Sequence, residues 1–145
     1  MKRARLEPIH ELAHDAERST AARVAGMERR LQEAERREQE LLRYRQEYQD
    51  ALTERATTGL QVRSMREYQG FLARLGGALE AQRNLLSQLR RDCESERKTL
   101  RAAIVRRQAL GKVIEKTQME YRKTEDRRQQ RELDDTANRS CGVAP

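Results

Sequence analysis

The most regular feature of the sequence is a set of positions spaced alternately three and four residues apart from Met65 to Arg131. Thirteen of these twenty positions are apolar, whereas hydrophobic residues make up 36% of the whole chain. The alternation does not slip over about nine heptads, which is the pattern of a coiled-coil seam. We therefore predict a long second helix over residues 64–136.

A similar seam runs through the first part of the chain, from Leu6 to Leu52. One step, from Thr20 to Val24, is four residues where three is expected, which resembles a stutter in a coiled coil. The pattern predicts a first helix over residues 4–57.

Turn-type residues interrupt the two seams only once, at Thr57-Thr58-Gly59. Ser64 and Glu67 then have the spacing of a capping box, which marks the start of a helix. These signals predict a tip loop over residues 58–63. The chain is expected to form a single coiled-coil domain over 1–145, with a disordered tail over 137–145.

The two seams fit each other when the chain folds back on itself. Facing residues keep a constant register, with the pairs Leu52–Leu72, Tyr48–Leu75, Leu41–Gln82, Val24–Leu100 and Ile9–Ile114. We predict an all-α fold: two long helices in an antiparallel coiled-coil hairpin, with the second helix overhanging at its C-terminus. A parallel dimer is the alternative arrangement.

The overhang covers the second helix from about Tyr121 to Arg139, where pairing within the chain has run out. A lone, highly charged helix of this length is marginal in water. It is therefore either a frayed, solvated tail or a segment that another protein orders.

The composition agrees with long helices and disagrees with a thick globular core. Charged residues make up 38% of the chain and aromatic residues 3%, whereas globular domains average about 25% charged residues. Disordered chains share this bias, but they have no reason to space their apolar residues. The first residues lack the apolar run of a secretory signal, and no apolar stretch approaches a membrane span. We expect a cytoplasmic protein.

The net charge of +7 is concentrated in residues 97–131, which contain twelve basic and four acidic side chains. Most of the basic residues are arginines, whose guanidinium suits carboxylates and phosphates. An acidic protein surface is the expected partner. The stretch lacks the interleaved aromatics of single-strand binders, so nucleic acid is not expected, although an Arg-rich nucleic-acid-binding rod is an alternative. A second alternative is that these basic residues only form a solvated face with no partner.

Few residues suggest chemistry. Cys93 and Cys141 lie far apart with no metal or redox motif. His10 and His14 share a helix face, but a metal site needs three or four ligands. No phosphate loop or nucleophile elbow is present, and a two-helix rod offers no cavity in which to tune a catalytic base. We expect no enzyme activity, no metal and no cofactor.

The aromatic residues cluster beside the predicted loop. Four of the five, Tyr44, Tyr48, Tyr68 and Phe71, lie there. Two helices cannot bury so broad an apolar stripe between them. The cluster is either a protein-binding face or local thickening of the packing.

Four segments together resemble the flagellar export protein FliJ family and its stalk relatives in type III secretion, over nearly the full length. They are Leu6-Glu7-Pro8, Tyr44-Arg45-Gln46-Glu47-Tyr48, Tyr68-Gln69-Gly70-Phe71-Leu72-Ala73-Arg74-Leu75 and Gln129-Gln130-Arg131-Glu132-Leu133-Asp134-Asp135-Thr136-Ala137. Gly76-Gly77 departs from the family pattern, in which helix formers are usual, and either kinks the second helix or is tolerated.

The resemblance implies a non-enzymatic stalk in the flagellar type III export apparatus, and the predicted hairpin implies a monomer by itself. Its helix ends would enter the hexameric export ATPase, and its tip would contact the export gate protein FlhA. It would handle export chaperones and lie at the cytoplasmic face of the inner membrane, associated peripherally with the membrane-bound apparatus. A generic dimeric coiled-coil adaptor and the stalk of a virulence secretion system are alternatives.

Two sets of residues follow from the resemblance. The gate contact would involve Leu41, Tyr44, Tyr48, Phe71, Leu75, Ala78 and Gln82. The contact with the ATPase ring would involve Arg122, Lys123, Arg127, Arg128, Arg131 and Leu133.

Overall fold

Two long helices make up most of residues 2–142, which are the residues that the computed structural model describes. Helix α1 spans Lys2–Thr58 and helix α2 spans Val62–Gly142. The two helices pack against each other as a helical hairpin, and the described residues contain no strand. The predicted all-α fold is confirmed. Within this part of the chain, neither helix contains a stretch apolar enough to cross a membrane.

The end of α1 is stabilised by its own threonines. The hydroxyls of Thr57 and Thr58 donate hydrogen bonds to the carbonyl of Glu54, at 2.6 and 3.4 Å. Gly59 follows with φ of 95°, in the left-handed region where a side chain would be strained. This conformation lets the chain leave α1 and turn back.

The start of α2 differs from the prediction. The amide of Met65 donates to the carbonyl of Gln61 at 3.0 Å, so helical bonding begins before Ser64. Ser64 lies inside α2 rather than at its cap, and the predicted capping box is wrong. The connection is shorter than the predicted loop, because a glycine turn needs few residues.

The C-terminal end of α2 also differs. Residues 137–142 are helical, whereas the sequence predicted disorder from 137, and residues 143–145 lie outside the described part. Side chains one turn apart support this end. Arg128 bonds Glu132 at 3.3 Å, and the Thr136 hydroxyl donates to the Glu132 carbonyl at 2.8 Å. Such local pairs stabilise a helix that has no packing partner.

The contacts of the chain divide it into two units. The loop unit is Thr20–Leu100, and the terminal unit is Met1–Ser19 with Arg101–Pro145. The buried residues of the loop unit are Thr20, Val24, Ala34, Leu75, Leu79, Leu86 and Cys93. All of them lie on the predicted seams, and the side chains of Leu79, Leu86 and Cys93 are only 1% exposed. The seam pattern therefore identified this core correctly.

Ion pairs flank the core of the loop unit. Arg97 contacts Glu28 at 3.1 Å, Arg90 contacts Glu35 at 3.7 Å, and Arg83 contacts Glu38 at 3.8 Å. The residue number falls along one helix as it rises along the other, which is an antiparallel arrangement. The hydrogen bond to Glu28 raises the pKa of Arg97. Exposed pairs of this kind each contribute little stability.

The terminal unit has a thinner core. Ala13 is buried, and Arg107 forms an ion pair and hydrogen bond with Glu17 across the helices. A Cβ on Gly111 would lie 3.6 Å from the imidazole Nε2 of His10, an ordinary van der Waals contact, so the two helices lie close together at this point. From residue 119 to 142, every residue except Glu125 is exposed. The second helix is thus without a packing partner where the seams predicted that pairing would end.

Candidate functional site

An aromatic cluster in the loop unit forms the centre of the predicted gate contact. The rings of Tyr48 and Phe71 stack with their centroids 4.1 Å apart and their planes 24° apart. The ring of Tyr68 lies 6.0 Å from that of Tyr48 in a tilted arrangement. Tyr48 was predicted to face Leu75. Its contacts with other aromatic rings are with Phe71 and Tyr68, while the pairing with Leu75 stays a prediction.

Tyr44 and Ala78 provide the accessible part of the predicted gate contact. Tyr44 is 44% exposed, although it is a large aromatic residue, and Ala78 is exposed as well. The guanidinium of Arg43 lies 5.8 Å from the centroid of the Tyr44 ring, within the range of a cation–π contact. A partner could therefore approach the ring of Tyr44 directly.

The other members of the predicted set are less accessible. Leu41 is half-buried, and Leu75 belongs to the core beneath the surface. The side-chain amide of Gln82 donates to the carbonyl of Ala34 at 2.9 Å, across the two helices. Gln82 thus joins α1 to α2 in the loop unit, and its amide is already engaged. We call the exposed members, Tyr44, Tyr48 and Ala78, together with Phe71, whose ring stacks on that of Tyr48, the tip surface.

Two residues beside the tip surface were absent from the predicted site. The guanidinium of Arg55 lies 5.6 Å from the ring centroid of Tyr68, and Tyr68 in turn contacts Tyr48. The sequence offered a signal for Tyr68, because it belongs to the aromatic cluster. No comparable signal marked Arg55, since arginines are spread along the whole chain.

The exposed end of α2, residues 119–142, contains the residues predicted to contact the ATPase ring. We call this part of the helix the C-terminal segment. All six are exposed, and Leu133 is 65% exposed. Arg128 is engaged within its own helix, with Glu125 at 3.9 Å and Glu132 at 3.3 Å. The remaining four basic residues form no ion pair with any described residue; they are Arg122, Lys123, Arg127 and Arg131. These four are available to an acidic partner.

The residues weighed for metal or thiol chemistry lie apart from both surfaces. His10 and His14 have ring centroids 6.4 Å apart, and no group of three or more ligands that could hold a metal occurs within residues 2–142. Cys93 is buried and Cys141 is exposed, and both are free thiols. The features that could bind a partner are therefore surfaces rather than an enclosed site.

Comparison with known proteins decides the family. A family model described as the flagellar FliJ protein matches residues 1–144. The chain belongs to the FliJ family. Comparisons with curated proteins and with solved structures give no significant match. The FliJ family is a non-catalytic export component, so this chain is a component related to flagellar protein export.

Family membership gives the two surfaces a context without assigning their partners. Flagellar export relies on assembly between proteins, and both surfaces are suited to protein contacts. The tip surface offers an accessible tyrosine beside stacked rings, which is the residue type that dominates interface energetics. The C-terminal segment offers unpaired arginines, which recognise carboxylates by paired hydrogen bonds.

Proposed function

We propose that this FliJ-family chain is a non-enzymatic coupling stalk of the flagellar type III export apparatus. The C-terminal segment of α2 enters the hexameric export ATPase, and the tip surface contacts the export gate protein FlhA. The protein works in the cytoplasm, at the inner face of the membrane where the apparatus is assembled, and it also handles export chaperones.

The observation on which the proposal rests is the exposed end of α2. This segment is helical to Gly142, yet nearly all of its side chains after residue 118 are exposed. A helix without tertiary packing is marginally stable in water, so a partner that packs around it adds stability. Its unpaired basic residues favour a partner lined with carboxylates.

The ATPase contact is tested with the purified hexameric enzyme. The chain is expected to bind the hexamer and to stimulate ATP hydrolysis. A variant carrying Arg122→Gln, Lys123→Gln and Arg127→Gln should bind roughly tenfold more weakly, because it loses three exposed charge contacts. A matched control is Arg29→Gln, Arg30→Gln and Arg36→Gln, which removes the same charge from exposed, unpaired arginines of α1.

Two results would overturn the ATPase contact. One is the absence of both binding and stimulation by the unaltered chain. The other is equal weakening by the C-terminal variant and by its control on α1, which would indicate a general effect of net charge. Helicity measured by circular dichroism must be equal in all three proteins.

The gate contact is tested separately with the cytoplasmic part of FlhA. Tyr44→Ala should weaken this binding with little change in the melting temperature, because Tyr44 is 44% exposed and lies outside the buried core. Tyr121→Ala is the matched control, since Tyr121 is an exposed tyrosine in the terminal unit. Unchanged gate affinity in Tyr44→Ala, or an equal loss in Tyr121→Ala, would rule out the tip surface.

A further inference from the structure

A shallow groove lies on the outer side of α2 in its first turns. Its volume is about 800 Å³, and it is lined by Val62, Arg63, Arg66, Glu67, Gly70 and Arg74. The positions Arg63, Arg66, Gly70 and Arg74 are spaced by three, four and four residues, so they share one helix face. This face is opposite to the seam that packs on α1, and it contains no member of the tip surface.

The charge of the groove is positive and uncompensated. Arg63, Arg66 and Arg74 are exposed, and none of them forms an ion pair with another described residue. By contrast, Arg83, Arg90 and Arg97 further along α2 all pair with glutamates of α1. Glu67 is the one acidic residue in the groove. The three guanidinium groups therefore have no internal role in the packing of the hairpin.

The floor of the groove is a glycine that the fold does not require. A Cβ on Gly70 would meet no atom within 4 Å, and the same holds for Gly77 one heptad further along. Glycine inside a helix is unfavourable relative to alanine. A glycine that relieves no internal crowding exposes the helix backbone, which allows a second helix to approach closely.

The groove also lies at the positive end of a helix. Helix α2 begins at Val62 and has no acidic residue in its first turn, so the positive end of its dipole is not neutralised there. The dipole and the three arginines are both positive here, so both attract a negatively charged ligand. Val62 is exposed at the same end and adds an apolar contact.

We propose that this groove is a docking site for an acidic α-helix of a partner protein, distinct from the gate and ATPase contacts. The carboxylates of the partner helix pair with Arg63, Arg66 and Arg74. Its backbone lies close to α2 over Gly70 and Gly77. The three arginines favour a partner that presents carboxylates. The glycine floor favours a helix over a bulky loop, because a helix can bring its backbone close to α2.

The test uses the full chain and a synthetic, alanine-rich helical peptide with a row of glutamates along one face. Binding is measured by fluorescence anisotropy at low and at physiological salt. The peptide should bind the chain, and its affinity should fall as salt screens the charges. The same peptide with glutamine in place of glutamate should bind at least tenfold more weakly.

Variants distinguish the groove from general basicity. Arg63→Gln, Arg66→Gln and Arg74→Gln together should weaken peptide binding roughly tenfold, while Arg29→Gln, Arg30→Gln and Arg36→Gln should leave it nearly unchanged. Glu67→Gln should strengthen binding, because it removes the one opposing charge. Gly70→Leu should weaken binding while the helix stays folded, because leucine fills the floor and is a better helix former than glycine.

Several outcomes would overturn the docking site. They are no binding of the glutamate peptide, equal binding of the glutamine peptide, or equal loss in the two triple variants. Binding of a single-stranded oligonucleotide in preference to the peptide would assign the arginines to nucleic acid instead. Failure here leaves the ATPase and gate contacts standing, since the groove variants keep both of those surfaces intact.

Discussion

Glycine residues in α2 and in the turn before it differ in what their lack of a side chain provides. At Gly76 a Cβ would meet no atom within 4 Å, and the helix runs through Gly76-Gly77 without interruption. These glycines therefore do not end the helix, although the sequence departs from the family pattern there. Gly59 is different, because its backbone has φ of 95°, which a residue with a side chain rarely adopts.

The first prediction follows from this contrast. Gly76→Ala should raise the free energy of unfolding by about 0.8–1.0 kcal/mol, because alanine is the better helix former and has room at this position. Gly59→Ala should lower it by about 1–2 kcal/mol, because alanine is strained at positive φ. Urea unfolding followed by circular dichroism measures both. A destabilising Gly76→Ala would mean that the glycine is needed for packing.

The two thiols provide a second prediction at the residue scale. Cys93 is 1% exposed within the loop unit, whereas Cys141 is exposed near the end of α2. A maleimide reagent should modify Cys141 rapidly in the native protein and should modify Cys93 only after local or global unfolding. Mass spectrometry of peptides at successive times measures both rates. Equal native rates would contradict the burial of Cys93.

At the scale of the elements, the seam between the helices stabilises the fold. One of the two most deeply buried leucines has an exposed leucine next to it in the chain, so burial and residue type can be separated there. Leu86 is 1% exposed, and Leu85 beside it is 48% exposed. The pair therefore allows a direct measurement of what the seam contributes.

Leu86→Ala should cost about 2–5 kcal/mol of unfolding free energy, because it leaves a cavity in the packed seam. Leu85→Ala should change the same quantity by less than about 0.5 kcal/mol, as is usual for surface substitutions. Both substitutions remove the same atoms, so helix propensity does not explain a difference between them. Equal costs would contradict the burial of Leu86 in the seam, and a larger cost for Leu85→Ala would mean that the assigned seam is wrong by one residue.

The sequence predicted the seams well because their period is a direct consequence of helix geometry. Every buried residue of the loop unit, from Thr20 to Cys93, lies at a predicted seam position. The helix ends were predicted less well. Ser64 had the spacing of a cap, but the glycine turn at Gly59 starts α2 earlier. Residues 137–142 are helical, although the period of apolar residues ends before them.

The candidate site could be predicted only in part, for a related reason. The position of Tyr48 in its seam was clear, but its stacking on Phe71 was not predicted, because Phe71 lies beside the seam rather than in it. Leu75 and Tyr44 both belonged to the predicted gate contact, yet one is buried and the other exposed. The groove with Gly70 at its floor was not predicted, because ordinary arginines form it.

At the scale of the whole molecule, the pairing of α1 with α2 within one chain predicts a monomer. Sedimentation equilibrium should therefore give the mass of one chain, 17.0 kDa, over a wide range of concentrations. Within the loop unit, the apolar seam of each helix is covered by the other helix of the same chain, so a second copy has no seam to bury there. A stable dimer would instead support the coiled-coil adaptor alternative.

Charge and aromatic residues are distributed between surfaces with different proposed partners. The exposed basic residues of the C-terminal segment belong to the terminal unit, and Tyr44 with its neighbouring rings belongs to the loop unit. A coupling role requires that these surfaces bind different components of the export apparatus. The central claim is therefore a claim about which partner each surface contacts.

Photo-crosslinking in the assembled export apparatus tests this claim most directly. A photoreactive amino acid is placed at Leu133 in one protein and at Tyr44 in another, since both positions are exposed. We predict that the probe at Leu133 crosslinks to the export ATPase and that the probe at Tyr44 crosslinks to the gate protein. Crosslinks from both positions to the same partner, or to neither partner, would contradict the coupling stalk.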